Sequence, residues 1–380
     1  VETQQTPVSS FESHNNQPTF GEKTIMDYVL NGEGVGNVAS RLMQNNWDTG
    51  ALRPFIDEKT QKAAIIVNQN GEQKKLFTNA PTSLRKDAWI ELDNAVVMAA
   101  RQRLKLVGDL RGAGLVYNLP NGMSKTVLET ESMGDITDAS IGMDPANETK
   151  ADEYQFNLTS LPLPVVHKGF SYTARQISVH QNSGTPLDTT HAAMAARRVA
   201  EGIEKLTLGV ADEYSYGGGS VYGLINFPHR VTTEISDPTL TTGWTPADLV
   251  GEVLDMKELA KDKLHYGPFS LYMGTAWDRQ LDDDYSSAKG SNTLRERLGQ
   301  ISAIDSIETL DYLPGYQCVL VQKSSDVIRM VMGSDITTVQ WESMGGLKVH
   351  FKVLALMVPQ VRADFYNRCG VIHASAVDKS

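Results

Sequence analysis

The chain has 380 residues, 41% of them hydrophobic, and a formal net charge of −11. That content is enough for a packed core and excludes a disordered chain. The acidic balance argues against a broad basic face for gripping nucleic-acid phosphates, and two cysteines, Cys318 and Cys369, are too few for a disulfide framework.

The two cysteines also lack metal-ligand spacing and are expected as reduced, buried thiols. No run approaches 18 apolar residues, so no membrane-spanning helix is expected. The start, Val1-Glu-Thr-Gln-Gln5, has neither a basic nor an apolar region of the secretory type, and no such signal is expected. Asn147-Glu-Thr and Asn157-Leu-Thr are then chance matches to the glycosylation sequon.

In chain order, residues 1–24 are polar and lack periodicity, which predicts an extended arm. A short helix is expected over residues 37–45, with Val38, Leu42 and Met43 on one face. Ala63–Val67 and Lys74–Phe77 flank Asn70-Gly71, the dipeptide suited to a turn with positive φ at both central residues, so a β-hairpin is expected. Thr82 or Ser83 caps a helix from about Arg85 to Leu106, with Trp89, Leu92, Val96 and Ala99 as its apolar stripe; Gly108 and Gly112–Gly114 end it. Gly122 to Tyr172 is an extended excursion with limbs Lys125–Glu131 and Tyr154–Val166. Its acidic, polar tip, 132–153, has few large apolar residues: Met133, Ile136, Ile141 and Met143. So long a loop is unusual inside a compact domain, but not if it is a two-stranded arm packing on another subunit.

A second long helix is predicted from about Asp188 to Asp212, capped by Thr189 or Thr190 and roughly 35–38 Å long. Its stripe is Ala196, Val199, Ile203, Leu206 and Val210, and Arg197, Arg198, Glu201, Glu204 and Lys205 form the charged opposite face. A turn at Tyr216-Gly-Gly-Gly-Ser220 follows, and the best place for a domain change is Pro228–Gly243. Thr245-Pro246 begins a helix through Lys263. Phe269–Met273, Ser306–Thr309, Cys318–Gln322 and Ile328–Met332 are strands, and Thr275–Asp284 and Thr293–Gly299 are helical pieces. Lys348–Val358 and Gln360–Tyr366 are two more strands, paired about Pro359, and the last strands return to the first domain.

No chemical motif survives scrutiny. Asp48-Thr-Gly-Ala51 matches the aspartic-protease tetrad, but it follows polar Gln44-Asn-Asn46 and has no second copy. Gly32-Glu-Gly-Val-Gly36 lacks the third glycine of a dinucleotide fingerprint, and the glycines at 217–219 lack the Lys-Ser/Thr of a P-loop. Asp282-Asp-Asp284 lacks spaced calcium ligands. His167, His180 and His191 are scattered, and no Gly-x-Ser-x-Gly elbow is present. No catalytic, cofactor-binding or metal-binding residue is assigned, and no cofactor is expected.

Three stretches carry a family resemblance. They are Ala80-Pro-Thr-Ser-Leu-Arg-Lys-Asp-Ala-Trp89 with Leu92-Asp93; Leu161-Pro-Leu-Pro164 through Phe170 and Arg175; and Leu187-Asp188 through Ala200-Glu201 and Glu204, followed by Tyr222-Gly-Leu-Ile-Asn226. Over about 80–228 the chain resembles the major capsid proteins of tailed bacteriophages, of the Hong Kong 97 type, a fold shared with encapsulins.

The resemblance implies a mixed α/β (α+β) fold. It comprises an N-terminal arm (1–80), a peripheral domain (81–125, 173–228 with the spine helix, and 341–380), an extended loop (126–172) and an axial domain (229–340). It implies a structural, non-enzymatic protein that self-assembles as hexamers and pentamers into an icosahedral head shell in the bacterial cytoplasm. The shell encloses double-stranded DNA without sequence-specific binding and without a membrane. The implied partners are a portal protein and scaffold, decoration or minor capsid proteins. The long arm favours a phage head over an encapsulin compartment holding a cargo enzyme; a cytosolic enzyme with a hidden site is the third alternative. Some members crosslink a loop lysine to a neighbour's asparagine, which here would pair Lys150 with Asn367.

Overall fold

The computed structural model describes residues 53–57, 60, 62–69, 72–78, 84–133, 156–183, 189–285 and 292–379. The readings at 1–24, 32–36, 37–45 and 48–51, the Asn70-Gly71 turn, the Thr82 and Ser83 caps, His180's side chain and Lys150 lie outside them.

Strands β1 (Phe55–Ile56), β2 (Ala63–Gln69), β3 (Glu72–Thr78) and β4 (Leu84–Arg85) form a sheet in the order β3-β2-β1-β4. The expected hairpin is β2–β3, paired antiparallel. Helix α1 (Lys86–Arg101) buries Trp89, Leu92, Val96 and Ala99, as its periodicity predicts. It stops five residues before the expected Leu106. A separate helix α2 (Lys105–Gly112) follows and runs through Gly108, so that glycine ends nothing.

After β5 (Val116–Asn118), β6 (Val127–Met133) pairs antiparallel with β7 (Phe156–Pro162) as an isolated two-stranded arm. The expected return limb, Tyr154–Val166, divides at Leu163-Pro164. Beyond it β8 (Val166–Thr173) leaves the arm and pairs with a later strand of the body. Helix α3 (Ala174–Ser183) is an unexpected element, although its start is marked in the sequence. In Thr173-Ala-Arg-Gln176 the Thr173 N–H donates to Gln176 Oε1 at 2.9 Å and Gln176 N–H to Thr173 Oγ1 at 3.3 Å, a capping box.

The long helix is α4 (Thr190–Leu208), about 28 Å long. It ends at Gly209, so Val210 lies beyond it and is exposed. The other four stripe residues are buried, but Glu201 and Glu204 are buried too, against the expectation of a charged outer face.

The chain continues through β9 (Tyr214–Tyr216), β10 (Gly219–Val221) and β11 (Val231–Ser236). Helix α5 (Pro246–Asp262) starts as predicted, with Pro246 in its first turn and the Thr245 N–H donating to Asp248 at 2.8 Å. Then come β12 (Phe269–Gly274), α6 (Asp278–Asp282), α7 (Leu294–Gly299), β13 (Ile304–Leu310) and β14 (Cys318–Gln322). The chain closes with β15 (Ile328–Ser343), β16 (Lys348–Val361) and β17 (Val371–Val377).

Two sheets organise these elements. One is four-stranded, β5-β15-β16-β8, and packs with α1, α2 and α4 around Trp89, Phe170, Ile203 and Phe351. The other is five-stranded, β11-β17-β14-β12-β13, and its core with α5, α6 and α7 includes Leu249, Phe269 and Trp277.

Two strand expectations need correction. Pro359 does not divide two strands: β16 passes through it, opposite Met330. The Met330 N–H points the other way, to Leu115 O at 2.9 Å, so Pro359 needs no N–H toward β15. On its other side β8 pairs only as far as Ala355, so a missing donor there costs no ladder bond. Residues 362–366 are not a strand. The last strand, β17, joins the five-stranded sheet between β11 and β14, while β16 alone returns to the first sheet.

Candidate functional site

The residues singled out for chemistry do not converge. Asp282 ion-pairs with Arg295 at 3.5 Å, Asp283 Oδ1 accepts the Asp284 N–H at 2.9 Å, and Asp284 bridges to Thr293, so the acidic run closes a loop. His191 packs edge-on against Tyr172, and His167 stands exposed on β8. Among the described residues no group of three His, Cys, Asp or Glu could hold a metal. Cys318 and Cys369 are buried free thiols. Burial pushes both upward, Cys369 to about 12, which leaves neither as a ready nucleophile. In the 216–219 turn, Gly217 and Gly218 have φ of 61° and 81°, the paired positive values of a tight hairpin between β9 and β10, not a phosphate cradle.

Two polar ties hold the elements together, one between helices and one between a helix and a sheet. Glu204, on α4, reaches the N-terminus of α2, where its Oε1 accepts the Leu106 N–H at 2.7 Å. A buried carboxyl can satisfy a helix start, whose first N–H groups have no intrahelical partner. Desolvation nevertheless raises its carboxyl to about 7, against the lowering pull of those backbone N–H groups. The second tie joins the two cores. Tyr272 on β12 donates to Asp109 on α2 at 2.5 Å, and Lys323 reaches Asp109 at 3.1 Å and Ser306 Oγ at 3.0 Å. Tyr272 is fully buried, and burial followed by the Asp109 bond pushes its phenol further above its ordinary value. That direction suits a fixed donor, not a proton shuttle. The sequence carried no sign of either tie, because both join residues about 100 or more positions apart.

Beside the arm's root lies a cleft of about 790 Å³. Thr130, Leu158 and Ser160 of the arm form one wall, the β9–β10 hairpin with Tyr216 a second, and Gln360, Arg362 and Asn367 a third. Two of its lining side chains, Leu158 and Tyr216, are exposed large apolar groups. The arm is fixed at its base, with Leu128 and Leu161 packed beside Leu356 and Val358, and Gln360 Nε2 donating to Thr130 Oγ1 at 3.1 Å. Both strands then leave the body in a two-stranded sheet of their own. An isolated hairpin of this kind is marginal in water without further packing. The chemistry available here is recognition by tyrosines, backbone edges and shape, features typical of protein–protein contact.

A family model described as "Family of unknown function (DUF6260)" matches residues 79–374. No curated protein matches the chain in sequence. Among solved structures, the chain is similar to a virus-like particle from Pyrococcus furiosus, at 14% identity and a TM-score of 0.54, over 76% of this chain and 99% of the other. It is similar to the capsid of Myoviridae phage XM1, at 12% identity and a TM-score of 0.51, over 70% and 91%. It is also similar to a chain of Mycobacterium phage Adephagia, at 11% identity and a TM-score of 0.51, over 71% and 90%. The fold is the mixed α+β, Hong Kong 97-type fold of capsid shells.

Proposed function

Since the chain belongs to the DUF6260 family and carries a capsid-shell fold, we propose that it is the major capsid protein of a tailed double-stranded-DNA bacteriophage. It acts by assembly into hexamers and pentamers of an icosahedral head, not by catalysis, and its place is the virion. The main support is a fold that spans nearly the whole length of shell-forming proteins, together with an arm that leaves its own body at β6–β7.

In this reading the four-stranded sheet with α1, α2 and α4 is the peripheral domain, α4 is its spine, and β6–β7 with residues 134–155 is the extended loop. The axial domain is 229–327 together with β17; the arm across adjacent subunits is confined to residues before β1, since β1–β3 pair with β4 and Phe55 packs on the body of the same chain. Portal, scaffold and decoration proteins are its natural partners. The net charge of −11 suits a shell that encloses DNA without binding it tightly.

Electron microscopy of the purified protein tests this directly. Closed shells of uniform diameter are expected, and monomers or small oligomers under every assembly condition would refute it. A cargo-holding compartment is the second reading, favoured by coverage of 99% of the virus-like-particle chain. Shells isolated from the native source separate the two, with packaged DNA for a phage head and a co-purifying enzyme for a compartment.

A further inference from the structure

Two segments that lead into the five-stranded sheet, 222–230 before β11 and 362–370 before β17, contribute residues to the cleft beside the arm's root. Around this junction three half-buried arginines have no acidic partner among the described residues: Arg230, Arg329 and Arg362. Arg329 opens the ladder of β15 with β16, opposite Gln360. Its Cζ lies 4.4 Å from the Tyr117 ring centroid, and its Nε donates to Gln360 Oε1 at 2.6 Å. Gln360 lines the cleft and has its amide nitrogen on Thr130 of the arm. Arg362, just beyond β16, lines the cleft itself. Arg230 donates through Nη1 to the carbonyl of Phe227, another lining residue, at 2.8 Å, and its Nε is buried without a partner.

Burial holds Arg230 and Arg329 below their ordinary values, and the like charge of Arg362 adds to the effect at Arg329. Two carboxylates line the cleft. Asp364 is taken up in its own turn, accepting the Arg368 N–H at 2.7 Å and the Arg368 guanidinium. Glu131 stands exposed on the arm wall. Neither reaches the three arginines. Desolvated cations without a counter-ion are costly, and the chain supplies no anion for these.

The form of the cleft narrows what would supply one. A guanidinium presents a planar fork that matches phosphate oxygens. Rings stand on the walls: Tyr216, 53% exposed, on the hairpin, and Phe227 edge-on to His229 at 5.6 Å on the segment before β11. A volume of about 790 Å³ is the size of a small-molecule site.

We propose that this cleft binds a nucleoside phosphate, with the phosphoryl group at Arg362, reinforced by the charge of Arg329 and Arg230, and the base against Tyr216. A single phosphoryl site of this kind needs no broad basic face, so it is compatible with the net charge of −11. The walls come from the arm, the β9–β10 hairpin and the segment before β17, so the ligand holds these three together. The site lies within one subunit and does not depend on the shell reading.

Isothermal titration calorimetry of the dispersed full-length protein with adenosine monophosphate, inorganic phosphate and adenosine tests it. Saturable binding of the monophosphate is expected, with adenosine at least about tenfold weaker because it lacks the group that meets Arg362. R362Q should weaken the monophosphate about tenfold or more, yet leave far-ultraviolet circular dichroism and the urea midpoint unchanged, since Arg362 has no acidic partner to lose. R362K keeps the charge but not the fork and should fall between. Y216A should weaken the monophosphate and leave inorganic phosphate as it was. An oligothymidine with a terminal phosphate that displaces the monophosphate would place a single-stranded end in the site, and failure to displace it would place a free nucleotide there; both support a phosphoryl site. Absence of saturable binding up to about 10 mM, or equal binding by the wild type and R362Q, would overturn the proposal. Monophosphate binding no tighter than inorganic phosphate would overturn the assignment to a nucleoside.

Discussion

Replacing Glu204 by glutamine removes a charge but keeps the carbonyl that accepts the Leu106 N–H. The wild-type carboxyl lies at about 7 in the folded protein against an ordinary value of 4.5, with burial as the largest cause. A folded value above the unfolded one means that the native state holds its proton to higher pH. The associated stability is fully present below pH 4.5 and is lost as pH rises toward 7. The full gap corresponds to about 3 kcal/mol, and integration between pH 5 and pH 8 gives a loss of about 2.5 kcal/mol. A glutamine at this position does not titrate, so E204Q should gain about that much on the wild type over this range. Urea unfolding of dispersed subunits at pH 5, 6, 7 and 8 measures it. Stability profiles that stay parallel within about 0.5 kcal/mol would show that Glu204 is solvated or already ionised, and the account of the buried tie to α2 would fail.

Three further outcomes are expected. Phe351→Ala removes a fully buried ring that stacks on Phe170 at 5.2 Å and meets Trp89 and Tyr172 edge-on, so urea unfolding should register a loss of about 3–5 kcal/mol. Gly219→Ala would place a Cβ 1.9 Å from Ser160 O, so the β9–β10 hairpin must move away from the arm's base. A loss of about 1–3 kcal/mol and a lower yield of shells in sedimentation should follow. In the native protein Cys318 and Cys369 should both resist a disulfide-exchange reagent at pH 8 and become reactive only in denaturant, which absorbance at 412 nm follows.

Local patterns were legible wherever a residue's role depends on its near neighbours. The stripe Trp89, Leu92, Val96 and Ala99 marked the buried face of α1 because helical period alone selects it. Thr245-Pro246 marked the start of α5 because capping is chemistry within one turn. Alternating limbs around an acidic tip marked the arm for the same kind of reason. The capping box at Thr173 and Gln176 was equally readable, and its omission lost α3.

The rest depended on which distant segments meet. Glu204 reads as a surface charge on α4 until α2 is placed against it, and the break between α1 and α2 makes sense only with that carboxylate at the Leu106 N–H. Pro359 reads as a strand terminator until the direction of the Met330 N–H and the end of β8 at Ala355 are known. The sheet that β17 joins is invisible in its own seven residues, because pairing is chosen by the partners' register and burial, not by propensity. By itself, then, the sequence determined the periodic elements, their caps and the acidic arm, since these follow from spacing and side-chain chemistry. Only the tertiary structure decided how the two cores are tied and which strand closes each sheet. Those outcomes are set by contacts between residues that the chain keeps far apart.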